Sequence, residues 1–583
     1  MCGIFACVGE DVADLAVAGL QRLQYRGYDS YGFAWVNGEK GVIHTRRSID
    51  SLDDMPDQLP HCSAIVGHTR WATHGGVSVE NCHPHSARGL KFSLVHNGIV
   101  ENYQALKETI TNRDYVSDTD TEVIVRLLEI ALETATSRVE ALRGVLNSLD
   151  GRNTIVLLFA DGEMLGVREG SPLVLGKTTH QYFLGSDVLS FARYTNVCCP
   201  VAQRYIVSIK GQRIEMFDEA GQPCEIEWVL AELPEIEFGK DGYPHYMLKE
   251  IMEQWQTVSR QGMLAGADLD EFVQELRHCG NLLVTGAGGA YYACVQIAWL
   301  LRELAGFRVI AVPAYEIESI KSLYRPGDFV LAISQSGETA DTLQAIETAT
   351  SWGMRVASLV NMPMSTLALL SEFSFANHSG PEICVLSTKS ATAQVTFGYL
   401  LAKALADQAD TRVHIDQLSS ALSRYLTEAF SRKLQDLAAS LLPAQHLFIL
   451  GRGLFYGNAL TAALNIKEAS YLHAEAFAAG ELKHGVIALI EEGVPVILFV
   501  GNDDSYMLNV AAEVKSRGAR VIGIAYDDNA LFDDFISMPE LSDPSLATVC
   551  GLIPCQLLAY HLGVYAGINP DKPRNLAKSV TVQ

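Results

Sequence analysis

DFVLAISQSGETADTLQAIETA, residues 328–349, decides the fold class of most of the chain. Phe329 to Ile333 form an apolar run of strand length, the pattern of a strand buried on both faces of a parallel sheet. The polar turn Ser-Gln-Ser-Gly-Glu-Thr follows at 334–339, and ADTLQAIETA then reads as a helix. Hydroxyls and backbone N–H groups would gather where that helix begins. The partial positive charge of a helix N-terminus favours phosphate there.

The same texture extends outward. NLLVTGAGG (281–289) reads as a strand and AYYACVQIAWLLRELAG (290–306) as a helix. Roughly 165 residues after that strand comes a second series: strand HLFILGRG (446–453), helix NALTAALNIKEASYL (458–472) and strand PVILFVGND (495–503). Glycines after the first strand of each series allow a tight strand-to-helix turn. The spacing predicts a duplication, with two doubly wound α/β domains at 245–425 and 430–583, the latter ending in a C-terminal tail. The polar stretch ELPEIEFGKDGYP (232–244), with its Gly and Pro, reads as a linker, placed at 236–244.

Residues 1–235 have another character. SAIVGHTRWA, KFSLVHNGIV, NTIVLLFAD and QYFLGSD are short β-rich runs. DVADLAVAGLQRL and DTDTEVIVRLLEIALE are helical, the first with Asp11 as its expected N-cap. Strands grouped apart from helices predict a layered α+β domain.

Composition bounds the function. A chain of 583 residues exceeds one core and suggests several domains. A net charge of −24 argues against nucleic acid or an anionic membrane as partner, so an anionic substrate needs local donors. No run reaches the roughly 18 uninterrupted apolar residues of a membrane span. The start MCGIFACVGE lacks a basic n-region and meets Glu10 and Asp11 too soon for a signal peptide. The twelve cysteines show no CxxC and no regular spacing, which favours reduced thiols in the cytoplasm over disulfides or a metal site. Cys198 and Cys199 read as structural.

Cys2 directly follows the initiator methionine. A small second residue normally permits methionine removal, which would set the Cys2 thiol beside its own α-amine. That amine titrates at about 7.7–8, below the thiol, and can serve as its general base. Position alone is common to many proteins; the companions are not. YRGYDS (25–30), GHTRWATHG (67–75), HPH (83–85), HNGIVEN (96–102) and SDTDTE (117–122) crowd polar groups between apolar strands. Through this whole first block the chain resembles class II glutamine amidotransferases of the N-terminal-nucleophile (Ntn) hydrolase type. The resemblance implies that Cys2 attacks the glutamine amide and that Asn97 and the Gly98 N–H hold the oxyanion. It implies that Arg70 takes the α-carboxylate and Asp120 the α-ammonium, while Thr73 and His74 complete the pocket. The Arg26 loop would close over it, and Trp71 would gate an ammonia passage.

SQSGET together with LSTKSATAQ (386–394) resembles the paired sugar-isomerase (SIS) domains of phosphosugar enzymes, and KEASYLHAEAFAAGELKHG (467–485) and PRNLAKSVTVQ (573–583) extend the likeness to the C-terminus. By that resemblance Ser334, Gln335, Ser336, Thr339 and Ser387 bind the phosphosugar. Glu468 moves a proton between sugar carbons, His484 of a neighbouring subunit assists ring opening, and Lys578 contacts the open-chain sugar. It implies a homodimer acting on L-glutamine and a ketose phosphate, fructose 6-phosphate in the family's pattern, with no cofactor and no metal. Two positions depart from that pattern. Ala287-Gly288-Gly289-Ala290 stands where the family has Cys-Gly-Thr-Ser, and Asn465 stands where it has a lysine. Three readings follow: fructose 6-phosphate amination, amination of another ketose phosphate, or a non-catalytic sugar-phosphate sensor.

Overall fold

The computed structural model describes residues 2–580 except 38–40, 56–57, 111–113, 232–238, 265, 363 and 409–410. Met1, and residues 236–238 of the expected linker, lie outside the described residues. The chain divides into two units: one of residues 1–238 with 577–583, the other of 239–576.

The first unit is a four-layer stack of helix, sheet, sheet and helices. Strands β1 (Gly3–Val8), β2 (Ser30–Val36), β3 (Ala64–Arg70) and β6 (Tyr182–Gly185) lie side by side in an eight-stranded sheet, in the order β6-β1-β3-β2. Strands β4 (Phe92–Gly98) and β5 (Asn153–Phe159) are neighbours in a seven-stranded antiparallel sheet. Period-two alternation sorts β1 between two cores. Ile4, Ala6 and Val8 point at Val95, Val156 and Leu158 of the second sheet. On the other face, the Phe5 ring covers Gly19 of helix α1 (Ala13–Gln21) so closely that a Cβ there would lie 2.7 Å from it. Helix α2 (Thr121–Thr134) covers the outer face of the second sheet through Ile124, Val125 and Leu128. The expected Asp11 cap is corrected: α1 begins after Val12 with no side-chain cap, and Asp11, at φ 49°, meets His61 Nδ1 at 2.5 Å instead.

The second unit holds two five-stranded parallel sheets. In the first, β7 (Leu282–Gly286), β8 (Val309–Pro313), β9 (Phe329–Ser334), β10 (Arg355–Val360) and β11 (Phe373–Ala376) take the order β8-β7-β9-β10-β11. In the second, β12 (His446–Gly451), β13 (His473–Ala478), β14 (Pro495–Val500), β15 (Arg520–Ala525) and β16 (Asp534–Ser537) repeat it as β13-β12-β14-β15-β16. Two sheets of identical order are the structural form of the sequence echo. In each, the strand order reverses beside the first strand, which opens a crevice at the strand C-termini. Helices α3 (Gly289–Ala305), α4 (Ala340–Ser351), α5 (Lys389–Leu405) and α6 (Tyr456–Ser470) follow strands or loops at these ends. Helix α7 (Ala547–Tyr565) has the length and hydropathy of a membrane span, yet it is 94% buried and packs on α6 as a core helix.

Candidate active sites

The nucleophile candidate is placed by strand pairing. Gly3 lies opposite Thr69 and Ile4 opposite His68, so Cys2 arrives where the chain leaves β3 at Trp71. A Cβ on Gly3 would come within 2.7 Å of Thr69 Oγ1 and 2.8 Å of Leu23 Cβ, so only glycine lets the strands approach this far. The Trp71 N–H donates to Cys2 Sγ at 3.2 Å, and Sγ lies 3.6 Å from the Trp71 carbonyl. Asp29 holds that loop by accepting the Ala72 N–H at 2.8 Å, and the Tyr28 ring meets Trp71 edge-on at 5.6 Å. Burial pushes the Cys2 thiol above its ordinary pKa, against the pull of the Trp71 N–H and the Arg70 charge. A neutral thiol of this kind needs a base before it can attack.

Asn97 and Gly98 stand at the end of β4, beside the nucleophile. Asn97 Nδ2 donates to the Cys2 carbonyl and to Ser186 Oγ, both at 3.0 Å. Gly98 has φ 151°, and a Cβ there would meet the Arg152 carbonyl at 1.7 Å. Arg70, buried at the end of β3, gives its guanidinium to the carbonyls of His74, Gly75 and Gly76. It therefore shapes the loop that carries Thr73, which is exposed, and His74, whose ring meets Tyr103 edge-on at 5.4 Å. Asp120, also buried, accepts the Val100 N–H at 2.7 Å just beyond Gly98. Arg26 lies against the nucleophile's backbone. It is 3% exposed, its Nε donates to the Cys2 carbonyl at 3.3 Å and its Nη1 stands 3.7 Å from Asp187. It thus anchors the nucleophile's backbone.

Behind Asn97 lies a cluster of four buried histidines. The rings of His68 and His83 stack at 4.2 Å, and His83 meets His85 edge-on at 4.8 Å. His96 bridges Thr121 Oγ1 at 2.9 Å and Asn153 Oδ1 at 3.1 Å. Burial lowers the pKa of all four, that of His68 and His85 to about 3. The cluster is neutral, and among the described residues no group of three or more His, Cys, Asp or Glu could hold a metal ion.

In the second unit, the decisive stretch folds as a cradle at the C-terminus of β9. Ser334 Oγ accepts the Gly337 N–H at 3.0 Å and lies 3.4 Å from Thr339 Oγ1, while Ser336 Oγ accepts the Glu338 N–H at 3.1 Å. Gln335 keeps its backbone carbonyl on the Asn361 N–H at 3.0 Å. The loop's own carboxylate turns away: Glu338 accepts the N–H and hydroxyl of Thr366 at 2.7 and 2.8 Å. Ser387 stands nearby before α5 and bonds Ser390 Oγ at 2.8 Å. Buried Glu382 gathers the N–H groups of Thr388 and Ser390, both at 2.9 Å, and Glu250 those of Ile383 and Cys384.

Helix α6 carries Glu468, half-buried, and Asn465, 1% exposed. A Cβ on Gly289 at the start of α3 would lie 3.4 Å from Ser387 Cβ and 3.9 Å from Leu464 Cδ2. Ser387 and Leu464 of α6 therefore both approach the start of α3. The Asn465 Nδ2 group has no hydrogen-bond partner among the described residues. His484 is exposed at the end of the short helix Ala479–His484, and Lys578 is half-buried in the C-terminal segment counted with the first unit.

Sequence reasoning missed Ser186, His68, Asp29, Glu250, Glu338 and Glu382. The faint signals were Ser186 in the polar end of QYFLGSD and the carboxylates flanking two glycine- and serine-rich loops.

Comparison with known proteins fits this arrangement. The family described as glutamine amidotransferases class-II matches residues 1–182, and the SIS domain matches 275–404 and 440–562. The chain is 38% identical over 611 residues to a glutamine–fructose-6-phosphate aminotransferase [isomerizing] of Thermococcus kodakarensis, covering all of both chains. It is 37% identical to one from Caulobacter vibrioides, again over all of both. Among solved structures, the C-terminal domain of glucosamine-fructose-6-phosphate aminotransferase from Francisella tularensis matches with TM-score 0.52 and 29% identity. That match covers 57% of this chain and all of the other. A tagatose-6-phosphate ketose/aldose isomerase from Escherichia coli shares the fold at TM-score 0.50 and 22% identity, over 58% of this chain and 96% of its own. A class II glutamine amidotransferase domain followed by two SIS domains, matched to such relatives end to end, places this chain in the family of glutamine–fructose-6-phosphate aminotransferases (isomerising).

Proposed function

We propose that the chain takes ammonia from L-glutamine and uses it to convert D-fructose 6-phosphate to D-glucosamine 6-phosphate, releasing L-glutamate. The observation that carries this reading is the Cys2 thiol on the Trp71 backbone, with Asn97 and Gly98 alongside. With Met1 removed, the Cys2 α-amine takes the thiol proton and Sγ attacks the glutamine amide carbon. The carbonyl π electrons move onto oxygen, where Asn97 Nδ2 and the Gly98 N–H receive them. Collapse breaks the C–N bond, ammonia leaves with the proton held by the amine, and water hydrolyses the thioester to glutamate. Arg70 and Asp120 take the two charged ends of the amino acid, Thr73, His74 and Arg26 shape its pocket, and Trp71 gates the ammonia.

At the sugar, Ser334, Gln335, Ser336, Thr339 and Ser387 hold the phosphosugar, with the N-terminus of α4 favouring the phosphate dianion. Ammonia condenses with the C2 carbonyl, losing water. Glu468 then removes a proton from C1 as the imine nitrogen gains one, giving the enolamine, and returns the proton to C2 as the C1 hydroxyl gives up its own, leaving an aldehyde at C1 and an amine at C2. His484 assists ring opening and Lys578 meets the open chain. An exposed His484 suits a residue lent to a second copy, so the acting form in this reading is a homodimer. The reading also places the enzyme in the cytoplasm, without nucleic acid or membrane as partner, in keeping with the net charge of −24. One observation favours a second acceptor: Ala290 and Asn465 stand where the family's pattern has a serine hydroxyl and a lysine amine. Amination of another ketose phosphate is the alternative it supports.

Two assays decide. Glutamate release by the wild type should vanish in Cys2→Ala, while amination of fructose 6-phosphate by added ammonium persists. No release from the wild type would sink the amidotransferase reading. Hexosamine formed from a different ketose phosphate, and none from fructose 6-phosphate, would replace the acceptor.

A further inference from the structure

His68 takes no part in the roles assigned so far, yet it is fully buried and touches the side chain of Asn97. Its Nε2 lies 3.1 Å from the His96 carbonyl and 3.2 Å from Asn97 Oδ1. A carbonyl oxygen can only accept, so the His96 carbonyl fixes His68 as the Nε2–H tautomer. Its Nδ1 has no hydrogen-bond partner among the described residues, and the ring stacks on His83. Burial holds the ring neutral, with a pKa lowered to about 3, so a second proton on Nδ1 does not enter.

The fixed tautomer in turn decides how Asn97 lies. An asparagine amide can sit two ways that differ only in exchanging oxygen and nitrogen. With Nε2–H donating, the amide oxygen must face His68 and Nδ2 must face Cys2, where it reaches the Cys2 carbonyl and Ser186 Oγ. The reversed amide would bring two donors together at His68 and two acceptors together at the Cys2 carbonyl. Ser186 Oγ accepts the Ile4 N–H at 2.9 Å as well, which ties the Asn97 amide to the strand behind the nucleophile.

We propose that His68 is a positioning residue for glutamine hydrolysis, holding the Asn97 amide with Nδ2, rather than Oδ1, on the side of Cys2. This rests on the amidotransferase reading above and adds a residue to it. Removing the His68 donor should let the amide reverse and so halve or abolish the oxyanion site, without touching the groups that bind glutamine.

The test is steady-state glutamate release by the full chain. His68→Leu should lower kcat roughly 10–100-fold, less than the roughly 100–1000-fold seen on losing an oxyanion donor outright, with KM for glutamine changed less than about twofold. His68→Gln, which keeps an N–H donor at similar reach, should recover most of the rate. In an Asn97→Ala background, His68→Leu should cost nothing further, because the two act as one device. Ammonium-dependent amination should be equal in all of these. A full kcat in His68→Leu, a loss in His68→Gln equal to that in His68→Leu, or an additive loss in the Asn97→Ala background would overturn the proposal. Should His68→Leu not fold, selective 15N-histidine labelling of the wild type reads the tautomer directly, and an Nδ1–H signal for His68 overturns it. Absence of wild-type glutamate release would instead sink the amidotransferase reading itself, so the two failures are distinct.

Discussion

Gly98 is the residue whose replacement has the least ambiguous consequence. At φ 151° and 1.7 Å from the Arg152 carbonyl, an added methyl cannot be placed without moving β4 away from β5. That movement displaces the N–H assigned to the oxyanion. Gly98→Ala should therefore reduce glutamate release by about 100-fold or more while leaving ammonium-dependent amination intact. Equal losses in both assays would mean general misfolding instead. Asn465 poses the opposite case, a buried amide nitrogen without a partner among the described residues. Such a group costs stability of about 1–3 kcal/mol unless a ligand pairs it. The near-isosteric Asn465→Leu should thus raise the unfolding temperature and lower the rate of amination several-fold. Thermal unfolding measured beside ammonium-dependent turnover checks both halves. A more stable chain with undiminished amination would remove Asn465 from the acceptor site.

At the scale of the element, the cradle after β9 is held by its own acid. Glu338 accepts both the N–H and the hydroxyl of Thr366, which keeps a carboxylate out of a site meant for phosphate and fixes the loop against the short helix beyond it. Glu338→Gln retains one acceptor oxygen and loses the charge assistance. The KM for the sugar phosphate should rise roughly tenfold with kcat little changed, the worth of one charge-assisted hydrogen bond. An unaltered KM would show that the loop holds its shape without this contact. Elements such as this one were legible in sequence because their signal is local. The run Phe329–Ile333, the glycines after β7 and β12, and the acidic start of α2 each sit within a few residues of what they determine. The Asp11 cap was misjudged by a local rule, since Asp11 adopts a left-handed backbone and turns to His61. Ser186 and His68 were invisible for another reason. They act through strand pairing, β6 to β1 and β1 to β3, across 182 and 64 residues of sequence from Ile4, and no window along the chain brings them together. Motif resemblance points to Cys2, Asn97 and Asp120, but it says nothing about the partners that hold them.

Across the whole molecule, the two units should answer acid differently. The first unit buries His68, His83, His85 and His96 as neutral rings, all held below the ordinary histidine range by burial. The unfolded chain protonates these groups near pH 6.5, the folded one only at lower pH, about 3 for His68 and His85. Stability is therefore complete above about pH 6.5 and falls as pH drops toward about 3, by up to about 1.4 kcal/mol per pH unit for each ring. Carboxylates cannot imitate the upper part of this window, because their unfolded values lie near 4. In the second unit His561 is held low, to about 4, so a smaller slope is expected there. Amide hydrogen exchange compared at pH 7.5 and 5.5 should show the opening free energy of β3 and β4 falling several-fold more than that of β9 and β14. His85→Gln, which removes one titrating ring hydrogen-bonded to Thr119, should reduce the first unit's slope by about one proton's worth. An unchanged slope would mean that His85 carries its proton in the folded chain. The four rings lie behind Asn97 and Cys2 in the first unit, so acid that begins to charge the cluster should loosen that unit and cost glutamine hydrolysis before it costs amination from ammonium.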